Sequence, residues 1–136
     1  MVEYGWLDTA LFIHLLFQND RLRPRCREIV HQLETDEATG WFDVLVIHEL
    51  TYSLPRTKLP QFATRQGIAD YIRGFVELDS VQAESKDELL EGLELWAQGR
   101  VSFTDARLAV LARQRGMVLC SPNEKDFEAE LNTFPG

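Results

Sequence analysis

The fold class follows from one stretch near the start of the chain, Val2-Glu3-Tyr4-Gly5-Trp6-Leu7-Asp8-Thr9-Ala10-Leu11-Phe12. Residues 2–7 are mostly apolar and aromatic, which predicts a short buried strand. Asp8 and Thr9 are residue types that favour the start of a helix, so we expect a first helix over 9–17. A strand that passes directly into a helix indicates an α/β architecture.

The rest of the chain continues this alternation. The apolar spacing predicts further helices over 25–34, 47–54, 61–75, 87–98 and 104–115, and further strands over 42–46, 76–83 and 117–120, with Gly40 as a turn. The last helix has Thr104 as its expected cap, Leu108, Leu111 and Ala112 as its expected buried stripe, and Gly116 as its breaker. Together these elements predict a three-layer α/β/α sandwich with a central, mainly parallel sheet.

Length and charge limit the possible functions. The chain has 136 residues, so we expect a single domain over 1–136. Its formal net charge of −8 argues against a protein that coats duplex DNA, because such proteins neutralise phosphates with an excess of Lys and Arg. An enzyme that handles a short strand locally is still compatible with this charge.

The sequence also indicates the cellular compartment and the state of the two cysteines. The chain has no apolar run of membrane-spanning length and no basic signal-peptide start, so we expect a cytoplasmic protein without membrane partners. Cys26 and Cys120 are far apart and form no CxxC pair, so they are interpreted as small buried apolar residues.

Three carboxylates stand where a site is expected. In parallel α/β sheets, sites lie at the carboxyl ends of the strands. Asp8 follows the first predicted strand, Glu49 lies on the helix after the second, and Asp105 lies in the first turn of its helix. Crowded carboxylates favour a hard divalent cation such as Mg²⁺ or Mn²⁺. Each carboxylate taken alone is more often a simple helix cap or surface charge, and only the sequence around it favours a site.

Four segments in order carry a family resemblance. They are Leu7-Asp8-Thr9-Ala10-Leu11-Phe12, Val46-Ile47-His48-Glu49-Leu50-Thr51-Tyr52-Ser53-Leu54, Val101-Ser102-Phe103-Thr104-Asp105-Ala106-Arg107-Leu108-Ala109, and Ser121-Pro122-Asn123-Glu124-Lys125-Asp126-Phe127. In order and spacing the chain resembles a PIN domain of the VapC toxin type. The resemblance implies a metal-dependent endoribonuclease that hydrolyses RNA phosphodiesters, leaving a 5′-phosphate and a 3′-hydroxyl. It also implies a cognate antitoxin that blocks the site and a homodimer.

The resemblance assigns roles to individual residues. Asp8, Glu49 and Asp105 fall on the three acidic positions that hold one or two Mg²⁺ or Mn²⁺ ions. Asn123 occupies a fourth catalytic position, where its neutral oxygen leaves three formal negative charges. Whether Glu124 or Asp126 adds a carboxylate stays open. Ala10 replaces a polar residue that is usual two places after the first Asp.

Substrate contacts are expected from residues close to these motifs. The candidates are Thr9, Arg21, Arg23, Arg25, Arg56, Lys58 and Asp126. The arginines before and within the second helix could hold phosphates, although such a cluster more often belongs to a solvated helix start offset by nearby acids. Trp6, Trp41 and Trp96 stand beside apolar runs and are predicted to be core residues.

Other classes of protein fit less well. His48-Glu49 begins like an HExxH zinc motif, but Tyr52 stands where the second histidine is required. An aspartyl-phosphate phosphatase needs a second Asp two residues after the first, where this chain has Ala10. The stronger alternative is a non-catalytic PIN-like module that only binds a partner.

Overall fold

The computed structural model describes residues 1–120 and gives an α/β fold. Its elements in chain order are β1 (Val2–Trp6), α1 (Thr9–His14), α2 (Arg23–Glu34), β2 (Ala38–Trp41), α3 (Val44–Ser53), α4 (Arg65–Val76), β3 (Val81–Gln82), α5 (Lys86–Gln98) and α6 (Phe103–Arg115). Two short 3-10 helices, Leu54–Thr57 and Pro60–Phe62, join α3 to α4.

The sheet within residues 1–120 has three strands, all parallel, in the order β1-β2-β3. Helix α2 packs against β2 and α4 against β3. Because neighbouring strands run the same way, each must be joined to the next by a crossover that contains a helix. This arrangement confirms the predicted α/β class and parallel sheet, and it is compatible with a three-layer sandwich.

The core forms where α1, α3 and α4 meet the strands. Phe12 is fully buried, and its ring centroid lies 5.2 Å from that of Phe42 and 4.8 Å from that of Phe75. Tyr71 on α4 donates a hydrogen bond to the Phe12 carbonyl oxygen at 2.7 Å. Burial raises the pKa of the Tyr71 phenol, so the hydroxyl keeps the proton that this bond needs.

Arg65 attaches the start of α6 to the rest of the fold. Its Nη1 donates to the carbonyl oxygens of Trp96, Gly99 and Val101, at 3.0, 3.3 and 2.7 Å. Its guanidinium also lies 4.9 Å from the Trp96 ring centroid. Since the last carbonyls of a helix lack partners within the helix, Arg65 caps α5 and fixes the loop that leads into α6.

The predicted second strand over 42–46 is wrong. The strand is β2, and it ends at Trp41, because the Asp43 side chain accepts a hydrogen bond from the Leu45 N–H and starts α3 there. Gly40, predicted as a turn, lies inside β2. A Cβ on Gly40 would come within 2.8 Å of the Leu7 Cδ2 atom, so the glycine allows Leu7 to pack closely over the strand.

Several predicted bounds also change. The first helix ends at His14 instead of residue 17, α4 begins at Arg65 instead of residue 61, and the strand over 76–83 shrinks to β3 because α4 continues through Val76. Residues 117–120, predicted as a strand, pair with no described strand, and Val118 is 90% exposed. Strand β1 is also mostly exposed, so its predicted burial is wrong.

The buried stripe of α6 differs from the predicted one. Phe103, Ala106, Ala109 and Val110 are buried, whereas Leu108 is 42% exposed. Leu111 and Ala112 are only half-buried. The face of α6 that packs on α5 carries small alanines, and α6 lies so close there that a Cβ on Gly92 would come within 3.5 Å of the Arg107 Cα atom. Ser102, and not Thr104, caps the helix, since its Oγ accepts from the Asp105 N–H at 3.2 Å. Gly116 ends α6 at a φ of 62°, as predicted.

The cysteine and tryptophan predictions hold only in part. Cys26 and Trp96 are buried as predicted. Cys120 is exposed, and Trp6 and Trp41 are 69% and 43% exposed, so the predicted burial of these three is wrong. The two tryptophans are the last residues of β1 and β2, where the helices no longer cover the sheet.

Within residues 1–120, none of the helices has the length and apolar content needed to cross a bilayer.

Truncating the buried Phe12 tests this core. We expect Phe12→Ala to lower the free energy of unfolding by about 3–5 kcal/mol, because the variant loses aromatic burial and leaves a cavity against Phe42 and Phe75. Phe17→Ala, at a partly exposed site on the same segment, should cost about 0.5 kcal/mol or less. Urea unfolding followed by circular dichroism measures both, and equal losses would contradict the core described above.

Candidate active site

Asp8 and Asp43 stand directly after the carboxyl ends of β1 and β2. Each occupies the position before a helix, with extended backbone at φ −82° and −92°. The Asp43 carboxylate caps α3, whereas the Asp8 carboxylate makes no capping bond. Both line an open cleft of about 350 Å³ with Trp6, Leu7 and Val46. This cleft is therefore lined by two carboxylates, of which only that of Asp43 is used as a helix cap.

Thr9 joins the first motif to the second. Its hydroxyl donates to the Glu49 Oε2 atom at 2.5 Å, a contact between residues forty apart in the chain. Thr9 is buried, and Glu49 is exposed on α3 three residues after Val46, which lines the Asp8 cleft. The hydrogen bond thus places the Glu49 carboxylate beside the start of α1, next to Asp8 in sequence.

His48 joins the second motif to the third. Its Nδ1 atom lies 3.2 Å from the Thr104 hydroxyl, and its ring contacts the Phe103 ring edge-on with centroids 4.9 Å apart. Asp105 follows Thr104 in the first turn of α6 and is half-buried. Asp8 therefore stands just before α1, Glu49 on α3 and Asp105 on α6, and α3 contacts both of the other helices.

The environment of His48 keeps it neutral. Burial lowers the pKa of its imidazole, the positive charge of Arg107 lowers it further, and Asp43 raises it in part. Arg107 lies on α6 two residues after Asp105, and its Nε atom is buried without a hydrogen-bond partner in the described part of the chain. Arg107 thus brings a positive charge close to His48.

A second cleft, of about 460 Å³, adjoins His48 on the other side of α3. Its polar lining includes His48, Tyr52, Arg65, Ser102 and Thr104. The predicted substrate residue Arg56 lies near its rim, since its guanidinium stacks 3.5 Å from the ring centroid of Tyr52. Lys58 is exposed just after it, at a φ of 63°. These two cations therefore stand close to the end of the helix that carries Glu49.

The other predicted cations lie elsewhere. Arg23 donates from its Nε to the Leu15 carbonyl oxygen at 2.9 Å, and Arg25 pairs with Glu28 at 3.1 Å. Arg21 is exposed in the turn before α2. Arg23 lines a different cleft with Leu15, beyond the carboxyl end of α1, whereas Asp8 precedes the amino end of that helix. The structure therefore does not bring these arginines to the Asp8 cleft.

Asp8, Glu49 and Asp105 offer only carboxylate oxygens, which are the ligand atoms that a hard cation such as Mg²⁺ prefers. Within residues 1–120, however, no three or more His, Cys, Asp or Glu side chains are close enough together to form a metal-binding group. Asn123, Glu124 and Asp126 lie outside the described residues. Two hydrogen-bonding contacts, Thr9 with Glu49 and His48 with Thr104, therefore define how the three motifs lie relative to one another.

The sequence predictions do not include Asp43 or Arg107 among the site residues. Asp43 falls inside the predicted strand over 42–46, although an Asp before an apolar run with helical spacing is the signal of a helix cap and identifies it. Arg107 lies within the third motif, but the arginines expected to contact substrate are those clustered in sequence before the second helix. Both lie next to residues that the motifs had identified.

No protein-family model, curated protein or solved structure matches this chain.

The contact between Thr9 and Glu49 can be measured directly. A double-mutant cycle of Thr9→Val and Glu49→Ala should give a coupling energy of about 1 kcal/mol, because a hydrogen bond to a partly solvated charge contributes on that order. Thr9→Val combined with Asp87→Ala should be additive within about 0.5 kcal/mol, since Asp87 lies on α5 and lines a different cleft. Zero coupling for the Thr9 and Glu49 pair would show that the two motifs do not meet.

Proposed function

We propose that this protein is a Mg²⁺- or Mn²⁺-dependent endoribonuclease with a PIN-like domain, of the kind that acts as the toxin of a toxin-antitoxin pair. The observation that carries the proposal is the hydrogen bond from Thr9 to Glu49. It joins two of the acidic motifs at the carboxyl edge of a parallel sheet, which is where α/β enzymes bind their substrates. The order of the four sequence motifs supports the same assignment.

The carboxylates of Asp8, Glu49 and Asp105 are the groups that would hold the metal. When bound, the metal would supply charge stabilisation for the phosphodiester and lower the pKa of a water molecule. Glu49 is oriented for this role by Thr9, which occupies one lone pair of Oε2 and leaves Oε1 available. Asp105 is held by the capped first turn of α6.

Two other residues would tune the site. His48 would hold the third motif in place, since its contact with the Thr104 hydroxyl lies between α3 and the start of α6. Arg107 brings positive charge next to His48, where it would offset the negative charge of an RNA phosphate. Phosphoryl transfer needs mainly positioning and electrostatic stabilisation, so this mechanism requires no protein nucleophile.

The partner proposals follow from the same assignment. We propose RNA as the substrate, a cognate antitoxin as the inhibitor and a homodimer as the assembly. Exposed apolar residues on α3 support a protein partner: Leu45 is 64% and Tyr52 63% exposed, and seven residues separate them, so they share one face of the helix. The alternative is a non-catalytic PIN-like module, which would bind the same partners without hydrolysis.

Cleavage of RNA by the purified protein tests the proposal. The antitoxin-free chain, incubated with total cellular RNA and Mg²⁺ or Mn²⁺, should produce fragments with 5′-phosphates, and EDTA should abolish them. Asp8→Asn, Glu49→Gln and Asp105→Asn should each slow cleavage about 100-fold or more, because metal-ion catalysis is worth several kcal/mol.

Asp87→Asn provides the matched control. Asp87 lies in the first turn of α5 as Asp105 lies in the first turn of α6, so both substitutions remove the same helix-dipole interaction. The control should cleave at the wild-type rate. Equal cleavage by the wild type and all variants would refute the assignment, and RNA binding without cleavage would support the non-catalytic module.

A further inference from the structure

Two exposed tryptophans lie side by side at the edge of the proposed site. The ring centroids of Trp6 and Trp41 are 5.6 Å apart with an interplanar angle of 52°. Their exposed fractions are 69% and 43%, against 5% for Trp96. A large aromatic ring that stays in water does not gain the free energy of burial. Two such rings in contact beside a cleft therefore indicate a surface that a ligand covers.

An irregularity in β1 creates this pair. Glu3 is opposite Thr39, but Trp6 is opposite Trp41, so β1 uses three residue steps where β2 uses two. The extra residue is accommodated at Gly5, whose φ of 69° lies in the left-handed region. Without the bulge, Gly5 would stand opposite Trp41. The bulge therefore re-aims Trp6 onto its neighbour, as bulges next to active sites often do.

One ring of the tryptophan pair, that of Trp6, lines the same cleft as a proposed metal ligand, and Trp41 contacts Trp6 beside it. Trp6, Asp8 and Asp43 all line the open cleft at the ends of β1 and β2. Trp6 is two residues before Asp8, and Trp41 is two residues before Asp43. A ligand group stacked on Trp6 would therefore lie near the Asp8 and Asp43 carboxylates. These carboxylates repel a negatively charged phosphate, but they do not repel a neutral aromatic ring.

We propose that Trp6 and Trp41 form a stacking platform for an unpaired base of single-stranded RNA. This inference rests on the proposed function and specifies its substrate class. In a duplex each base is stacked between its neighbours and cannot reach an indole face, so the platform selects unpaired nucleotides. The formal net charge of −8 provides little electrostatic attraction for RNA, and stacking supplies affinity that does not depend on positive charge.

Tryptophan fluorescence reports on the platform directly. A single-stranded oligoribonucleotide of mixed sequence, added to the full chain in EDTA to prevent cleavage, should quench the emission of the exposed indoles. The same sequence annealed as a duplex should bind at least tenfold more weakly. Raising the salt from 50 to 200 mM should weaken single-strand binding by less than tenfold, because few phosphates are neutralised.

Substitutions separate stacking from general apolar contact. Trp6→Ala and Trp41→Ala should each weaken single-strand binding about tenfold or more, the range found for base stacking on aromatic residues. Trp6→Phe should keep most of the affinity, whereas Trp6→Leu should lose as much as the alanine variant, since leucine retains apolar area without a ring face. Phe17→Ala, a partly exposed aromatic residue beyond the opposite end of α1, is the control and should bind as the wild type does.

The outcomes distinguish this inference from the proposed function. Single-strand affinity that falls in Trp6→Ala and Trp41→Ala, in a protein that cleaves no RNA, would refute the nuclease and keep the platform. Cleavage with an unchanged KM in Trp6→Ala and Trp41→Ala would keep the nuclease and refute the platform. Equal binding of single-stranded RNA by Trp6→Leu and the wild type would also refute it, because general apolar contact, and not stacking on a ring face, would then account for the affinity.

Discussion

The site depends on β1 and β2 ending at the same level, with Trp6 paired to Trp41. Just beyond this pair, the Leu7 N–H donates to the Trp41 carbonyl oxygen at 2.8 Å and continues the ladder by one bond. Leu7 lies buried over Gly40, where a larger residue would collide with it. Because both strands pass into helices at that level, Asp8 and Asp43 emerge at the same edge. The pairing of β1 with β2 and the packing of Leu7 on Gly40 therefore determine where the Asp8 and Asp43 carboxylates lie.

Helix α3 connects that edge to the rest of the site. Its neighbouring residues Glu49 and His48 contact different elements, Thr9 at the start of α1 and Thr104 at the start of α6. A helix separates consecutive side chains by about 100° around its axis, so adjacent residues can face two partners. The clamp of Arg65 on the loop before α6 fixes the second of these partners. One helix therefore holds together three motifs that are distant in sequence.

The sequence predicted the features that local chemistry determines. Helix α5 and the end of α6 at Gly116 have clear local signals, and both were predicted nearly to the residue. The strands were harder, because β3 has two residues and β2 four, and their hydrogen bonds come from partners far along the chain. The same holds for burial. Nothing in the residues around Trp6 distinguishes it from the buried Trp96, since exposure depends on which element happens to cover the ring.

The wrong predictions at the tryptophans and at residues 42–46 fall on the same edge of the sheet. Local sequence there favours apolar burial and strand, while the fold uses it for exposed rings and for the capping Asp43. Conflicts between local preference and the folded state are expected where a surface serves binding, since a ligand completes interactions that the free chain leaves unmade. The bulge at Gly5 is another such conflict. Regular strand pairing is interrupted there, and the interruption brings Trp6 opposite Trp41. The acidic cleft and the aromatic pair beside it therefore act as one surface, in which carboxylates and indole rings are positioned by the same two strand ends.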